Sequence, residues 1–198
     1  MSNLVGIVNY GTAGNIHSIK KAIKKANGNY LILNKKSDFK KVERLILPGV
    51  GSFKDAMIEL SENNFIDALI NFKKPVLGIC LGMQIMSRFG MEFGEEKGLG
   101  ILNAEVNKIK CLRKIPHVGF NKINVIQNHR LFKEIEDEYF YFMHSYEIKS
   151  SENIMSLTKY GEYEFISSIS KSNYFGVQFH PEKSREAGIK LFKNFLEL

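Results

Sequence analysis

Pro75-Val76-Leu77-Gly78-Ile79-Cys80-Leu81-Gly82-Met83-Gln84 is the stretch whose reading decides the fold. A short apolar run bounded by a proline predicts a buried strand. It runs straight into Cys80 and then into the helix-prone Leu81-Gly82-Met83-Gln84-Ile85-Met86. Gly78 and Gly82 flank the cysteine two residues away on either side. This spacing fits a nucleophile elbow, a sharp strand-to-helix turn that holds a reactive side chain in a strained, exposed position. Small flanks are needed because the turn brings neighbouring backbone very close. The helix that follows points its first amides, and the positive end of its dipole, at the sulfur and so favours thiolate. A buried structural cysteine at a strand end fits the same spacing. Residues elsewhere in the chain decide between the two.

Upstream, the same strand, glycine turn and helix recur. Leu4 to Val8 is an apolar run entering Asn9-Tyr10-Gly11-Thr12-Ala13-Gly14-Asn15. Ile16, Ile19, Ala22, Ile23 and Ala26 then repeat at helical spacing, and Asn27-Gly28 closes that helix. GxGxxG is absent and no acidic residue waits at a second strand end, so the turn is not read as a dinucleotide site. Strands are expected at 30–33 and 44–47, the latter feeding Pro48-Gly49-Val50-Gly51-Ser52 and a helix over about 53–62. Three βα units predict an α/β fold, a doubly wound, mostly parallel central sheet with helices on both faces. Function in such sheets sits at the carboxyl ends of the strands. The loops at 10–15, 48–52 and Cys80 would all open on that edge.

Beyond Gly90 the pattern changes. A charged, glycine-rich excursion at 92–100 leads to short β-prone runs at about 104–109, 122–126, 139–146, 154–160, 165–170 and 175–179. These predict an antiparallel or mixed β extension of the sheet. No linker divides it off, so residues 1–198 are expected to form one domain. Ala187, Leu191, Phe192, Phe195 and Leu196 form the apolar face of a closing helix. There is no internal repeat.

Composition bounds the function. No apolar run approaches the ~18 residues of a membrane span, and the first ten residues read as a strand rather than a signal peptide. Cys80 and Cys111 form neither a CxxC motif nor a zinc site, which points to a reducing, cytoplasmic setting. The net charge of +7 comes from lysines scattered in pairs without interleaved aromatics, so neither nucleic acid nor membrane is expected as a partner. An acidic partner face or a phosphorylated substrate remains open.

The second informative stretch is Tyr174-Phe175-Gly176-Val177-Gln178-Phe179-His180-Pro181-Glu182. A nucleophilic cysteine needs an adjacent base, and an imidazole needs a carboxylate to fix its tautomer and orientation. A His-Pro-Glu turn leaving a strand supplies both, with the proline keeping the carboxylate in place. Acyl chemistry also needs oxyanion donors. The Leu81 N–H, next after the nucleophile, is one candidate, and Val50 in the 48–51 loop is a second.

Taken together, the chain resembles the class I (triad) glutamine amidotransferases and, within them, the glutaminase subunits of imidazole glycerol phosphate synthase. The resemblance rests on the loop at 10–15 and on Leu-Pro-Gly-Val-Gly at 47–51 and Gly-Ile-Cys-Leu-Gly-Met-Gln at 78–84. It continues through Pro-His-Val-Gly-Phe-Asn at 116–121, Tyr-Phe-Met-His-Ser-Tyr at 141–146 and Gly-Val-Gln-Phe-His-Pro-Glu at 176–182. It implies Cys80 as nucleophile, His180 as general base and acid, Glu182 as its orienting partner, and Val50 and Leu81 amides around the oxyanion. Gly49, Gly51, Gln84, Glu92, Ser145 and Tyr146 match positions that bind glutamine, with Glu92 facing the α-ammonium. His144 by default reads as a structural histidine. The resemblance implies no cofactor and no metal. It implies a heterodimer in which ammonia passes to a (β/α)8-barrel cyclase making imidazole glycerol phosphate and aminoimidazole carboxamide ribotide in histidine biosynthesis. The glutaminase would be latent until that partner and its ligand switch it on, with Val50 turning into the oxyanion site. Phe120, where the family commonly has tryptophan, and Lys183 match partner-facing positions. The Phe120 departure leaves room for another acceptor, such as a synthase amidating sugars of surface glycans. A stand-alone cysteine hydrolase and a silent binding module are the other readings, the latter opposed by the intact Cys80, His180 and Glu182.

Overall fold

The computed structural model describes residues 4–10 and 16–198. The remainder of the loop expected at 10–15 lies outside the described residues. The chain runs β1 (Leu4–Val8), α1 (Ile16–Lys25), β2 (Asn29–Leu33), β3 (Arg44–Leu47), α2 (Phe53–Glu62), α3 (Ile66–Ile70), β4 (Val76–Ile79) and α4 (Leu81–Gln84). It continues with β5 (Phe89–Gly90), β6 (Glu96–Lys97), β7 (Glu105–Lys108), β8 (His117–Val125), β9 (Tyr139–His144) and β10 (Tyr146–Ile148). β11 (Ile154–Tyr160), β12 (Tyr163–Lys171), β13 (Tyr174–Val177) and α5 (Arg185–Leu196) close it.

Nine strands form the central sheet in the order β2-β1-β3-β4-β13-β12-β11-β8-β9. The first five are mutually parallel, and the pairings from β13 outward are antiparallel. Alternation of side chains across the pleat explains how this sheet is covered. Leu45 and Leu47 of β3 face one layer with Phe53, Met57 and Leu60 of α2 and Leu69 of α3. Ile46 between them faces the other, with Ile19 and Ile23 of α1 and Leu191, Phe192 and Phe195 of α5. Helices therefore lie on both faces. α1 stops where the sequence places its end: Asn27 takes a left-handed φ of 62°, and the Gly28 N–H returns to the Ile23 carbonyl at 2.9 Å.

β13 joins the two halves, parallel to β4 on one side and antiparallel to β12 on the other. The run expected as one strand at 139–146 is two. β9 ends at His144 in the large sheet, whereas β10 pairs with β7 in a second, four-stranded sheet ordered β10-β7-β5-β6. Ser145 is the break, and its carbonyl accepts from the Ile109 N–H at 2.9 Å, next to the second sheet. The extension expected at 122–126 starts five residues earlier, at His117.

Candidate active site

The elbow is built by close backbone approach. Cys80 sits at φ 51° and ψ −107°, a region costing a non-glycine residue roughly 1–3 kcal/mol. Its N–H donates to Val177 O at 2.7 Å, and its carbonyl accepts from Met83 and Gln84 N–H at 3.0 and 3.1 Å. A Cβ on Gly82 would lie 2.0 Å from Leu47 O, and one on Gly49 would lie 1.9 Å from Ile79 O, so only glycine fits either position. These contacts press the 47–51 loop against the turn. The helix after the cysteine is a single turn, Leu81–Gln84. The helix-end effect expected at the sulfur therefore comes from the amides of that one turn. Cys80 is also 7% exposed rather than open to bulk solvent.

The sulfur faces a cavity of about 280 Å³. Gly49, Val50, Gly51, Leu81, Gln84, Glu92, Ser145, Tyr146 and His180 line it. Met143, His144 and Pro116 also line it. Every residue expected around glutamine or its oxyanion thus meets in one space. Glu92 reaches it from the 92–100 excursion because its Oε2 accepts from the Phe53 N–H at 2.9 Å, at the N-terminus of α2. Ser52 caps the same helix, accepting from the Asp55 N–H at 3.1 Å.

His180 follows β13, the parallel neighbour of β4. Its backbone N–H donates to Tyr141 O at 2.8 Å, and its Nδ1 lies 2.8 Å from Glu182 Oε1, with both side chains fully buried. The imidazole lies close enough to the Cys80 sulfur for the two to interact electrostatically. Burial by itself disfavours a charged imidazole. The negative charge on Cys80 and the Glu182 carboxylate outweigh that cost and hold His180 well above an ordinary histidine. The arrangement brings a cysteine sulfur, an imidazole and a carboxylate together, the set of groups that attack on a carbonyl carbon requires.

Phe120 and Lys183 lie apart from the cavity, on the outer surface of β8, β9 and the turn after His180. Phe120 is 41% exposed, stands edge-on to Tyr141 at 5.4 Å and lies under Arg185 at 5.0 Å. Lys183 lies 5.6 Å over the Tyr141 ring. Val118, Tyr139 and Met143 extend this apolar face. His144 is interior, as its default reading had it. Its Nδ1 donates to Tyr146 O at 2.9 Å across the Ser145 break, and His117 Nδ1 lies 3.2 Å from its Nε2. Burial lowers its pKa to about 3. Cys111 is far simpler, half-buried with its sulfur 3.8 Å from Arg113 O.

Sequence reasoning gave no role to Tyr10 or Gln178. The buried Tyr10 hydroxyl donates to Pro48 O, just before Gly49. Burial and then the nearby Cys80 charge keep that hydroxyl protonated. Gln178 Nε2 lies 3.4 Å from the Cys80 sulfur. Its signal was available in the parallel pairing of two predicted strands, since the residue beside the nucleophile is read from that register.

The family described as Glutamine amidotransferase class-I matches residues 7–198. An imidazole glycerol phosphate synthase subunit HisH from Desulfitobacterium hafniense is 43% identical, over 97% of this chain and 93% of that protein. One from Methanocaldococcus jannaschii is 41% identical over 98% and 100%. In fold, the chain is similar to PurLQS from Thermotoga maritima, with TM-score 0.76 and 18% identity over 100% of this chain and 99% of that one. A solved glutamine amidotransferase gives 0.75 and 16% over 98% and 99%. The chain belongs to the class-I glutamine amidotransferases, in the branch of the imidazole glycerol phosphate synthase HisH subunits.

Proposed function

We propose that the chain, as one domain over residues 1–198, is the glutaminase subunit of an imidazole glycerol phosphate synthase working in the cytoplasm. The observation that carries this is Cys80, strained at its elbow and sharing one cavity with a His180 whose Nδ1 meets Glu182. The Cys80 thiolate attacks the side-chain carbonyl carbon of L-glutamine, and the Val50 and Leu81 N–H groups hold the oxyanion. His180 gives its proton to the departing nitrogen, so ammonia leaves and a glutamyl thioester remains. Water then loses a proton to His180 and attacks the thioester, the carbon–sulfur bond breaks, and glutamate leaves with the thiolate restored. Glu92 binds the substrate ammonium, while Gly49, Gly51, Gln84, Ser145 and Tyr146 shape the rest of its site.

The ammonia goes to a second subunit, a (β/α)8-barrel cyclase that makes imidazole glycerol phosphate and the aminoimidazole carboxamide ribotide of histidine biosynthesis. The exposed face of Val118, Phe120, Tyr139 and Met143, with Lys183 and Arg185 at its side, is the surface we assign to that partner. The subunit names of the relatives favour this acceptor, and none of those reported above favours sugar amidation. We place the switch from latent to active at the Gly49–Val50 peptide, with glycine on each side of Val50. Glutamate release from glutamine tests the reading, with and without the co-purified cyclase and its carboxamide ribotide. Stimulation of at least ~10²-fold that vanishes in Cys80→Ala supports it. A Cys80-dependent rate indifferent to cyclase and ribotide contradicts the acceptor.

A further inference from the structure

The register that aligns the two catalytic strands also delivers a third group to the sulfur. β4 and β13 pair Ile79 with Val177, so the residue after Val177 emerges beside Cys80. That residue is Gln178, fully buried, its own N–H fixed to Ser167 O at 2.9 Å. Its side-chain Nε2 lies 3.4 Å from Cys80 Sγ, an ordinary N–H···S separation. Which end of the amide faces the sulfur follows from the far end of a short chain. Gln84 Nε2 lies 2.9 Å from Tyr146 O, and a backbone carbonyl only accepts, so the Gln84 nitrogen belongs there. The same nitrogen lies 3.0 Å from Gln178 Oε1. Gln178 therefore spends its oxygen on Gln84 and turns its N–H toward Cys80; the flipped amide would set nitrogen against nitrogen and oxygen against sulfur. Met143 O, 3.9 Å from the sulfur, is an acceptor and cannot support a negative charge there.

We propose that Gln178 is a thiolate-stabilising donor of this site, holding the charge and the direction of the Cys80 sulfur and tying it through Gln84 to the Tyr146 backbone. The inference rests on the reading of Cys80 as nucleophile and adds a residue to it. A carboxamide N–H neither gives up nor takes a proton near neutral pH, so it supports the anion without competing with His180. A charge-assisted bond in a buried site is stronger than the same bond in water. Gln178 acts at both ends of the reaction. Its bond weakens as the sulfur electron pair becomes the carbon–sulfur bond of the thioester, and it re-forms when water displaces that bond and the pair returns to sulfur.

Gln178→Met keeps length and shape and removes both polar ends. Gln178→Glu keeps the oxygen that Gln84 needs and exchanges the donor for an acceptor. Alkylation of the whole chain by iodoacetamide, read at the Cys80 peptide by mass spectrometry so that Cys111 is counted separately, needs no turnover. At pH 7 labelling is expected to slow about tenfold in Gln178→Met and further in Gln178→Glu, recovering toward wild type at alkaline pH. With the cyclase present, kcat for glutamine falls while KM changes less than about twofold. Unchanged labelling in Gln178→Met overturns the proposal, as does a loss confined to KM. If neither variant folds, the wild-type chain decides. The Gln178 side-chain NH₂ resonances shift as Cys80 is alkylated or titrated, and their indifference overturns the assignment. Normal Gln178-dependent labelling in a chain that hydrolyses no glutamine would break the proposed function and leave this inference standing.

Discussion

The two halves of the large sheet bury their strands differently, and the candidate chemistry divides along the same line. β4 and β13 have no exposed residue along their length. β8 and β9 alternate, with Val118, Phe120, Lys122, Tyr139 and Met143 turned outward. Cys80 and His180 leave the strands that solvent never reaches, where close packing fixes their separation. The face assigned to a partner belongs to strands with one side open, where a second surface can replace water. Ser145 and Tyr146 come from the junction, where the chain crosses into the small sheet, so the substrate site spans both kinds of structure.

Substitutions that break the buried half carry the largest effects. Cys80→Ala should lower glutamine hydrolysis by about 10⁴-fold or more without changing the far-ultraviolet circular dichroism. Glu182→Gln leaves His180 in place and loses the charge that orients it, for a decrease on the order of 10²–10⁴-fold in kcat. A paired substitution sharpens the comparison through stability. Gly82→Ala drives a Cβ to 2.0 Å from Leu47 O, whereas a Cβ on Gly119 of β8 meets nothing within 4 Å among the described residues and bears only the penalty of φ 144°. Gly82→Ala should lower the thermal midpoint by roughly 10 °C or more, and Gly119→Ala by a few degrees. Equal shifts would erase the distinction.

The junction should show itself in pH. His144 is held neutral in the folded chain down to about pH 3, and an unfolded histidine takes up a proton near 6.5. The unfolded state therefore binds more protons between these values, so its stability contribution is complete above about pH 6.5 and drains as pH falls toward 3. Urea midpoints should register a loss of about 2 kcal/mol between pH 7 and 5 from this group, a slope that His144→Gln flattens. The smallest effect on the isolated chain belongs to the open face. Phe120→Ala should leave stability within about 0.5 kcal/mol and basal glutaminase unchanged, while binding to the cyclase weakens about tenfold or more by titration calorimetry.

The same contrast explains what the sequence made legible. The largely buried strands at 4–8, 44–47 and 75–79 read as unbroken apolar runs and were placed within a residue or so, as was the half-buried edge strand at 30–33, whose Leu31-Ile32-Leu33 is apolar throughout. β8 was found late because Pro116 and Gly119 read as breakers, although Gly119 continues the ladder at a positive φ. The break at Ser145 carries no local signal; the register of β10 against β7 creates it. β5 and β6, two residues each, are too short for any period to show. In the site, Cys80, His180 and Glu182 were recognisable because their chemistry needs those residue types at strand ends. Tyr10 and Gln178 were passed over because a tyrosine and a glutamine in apolar runs look like packing until a strand order puts them beside Pro48 and Cys80.

Covalent capture of the first half-reaction tests the central claim most directly. The assembled complex would be treated with an electrophilic glutamine analogue and its peptides read by mass spectrometry. A single stoichiometric adduct on Cys80, prevented by excess glutamine and accompanied by loss of glutaminase activity, is the predicted result. An adduct on Cys111, or unlabelled Cys80 in a preparation whose glutaminase has been lost, would contradict it.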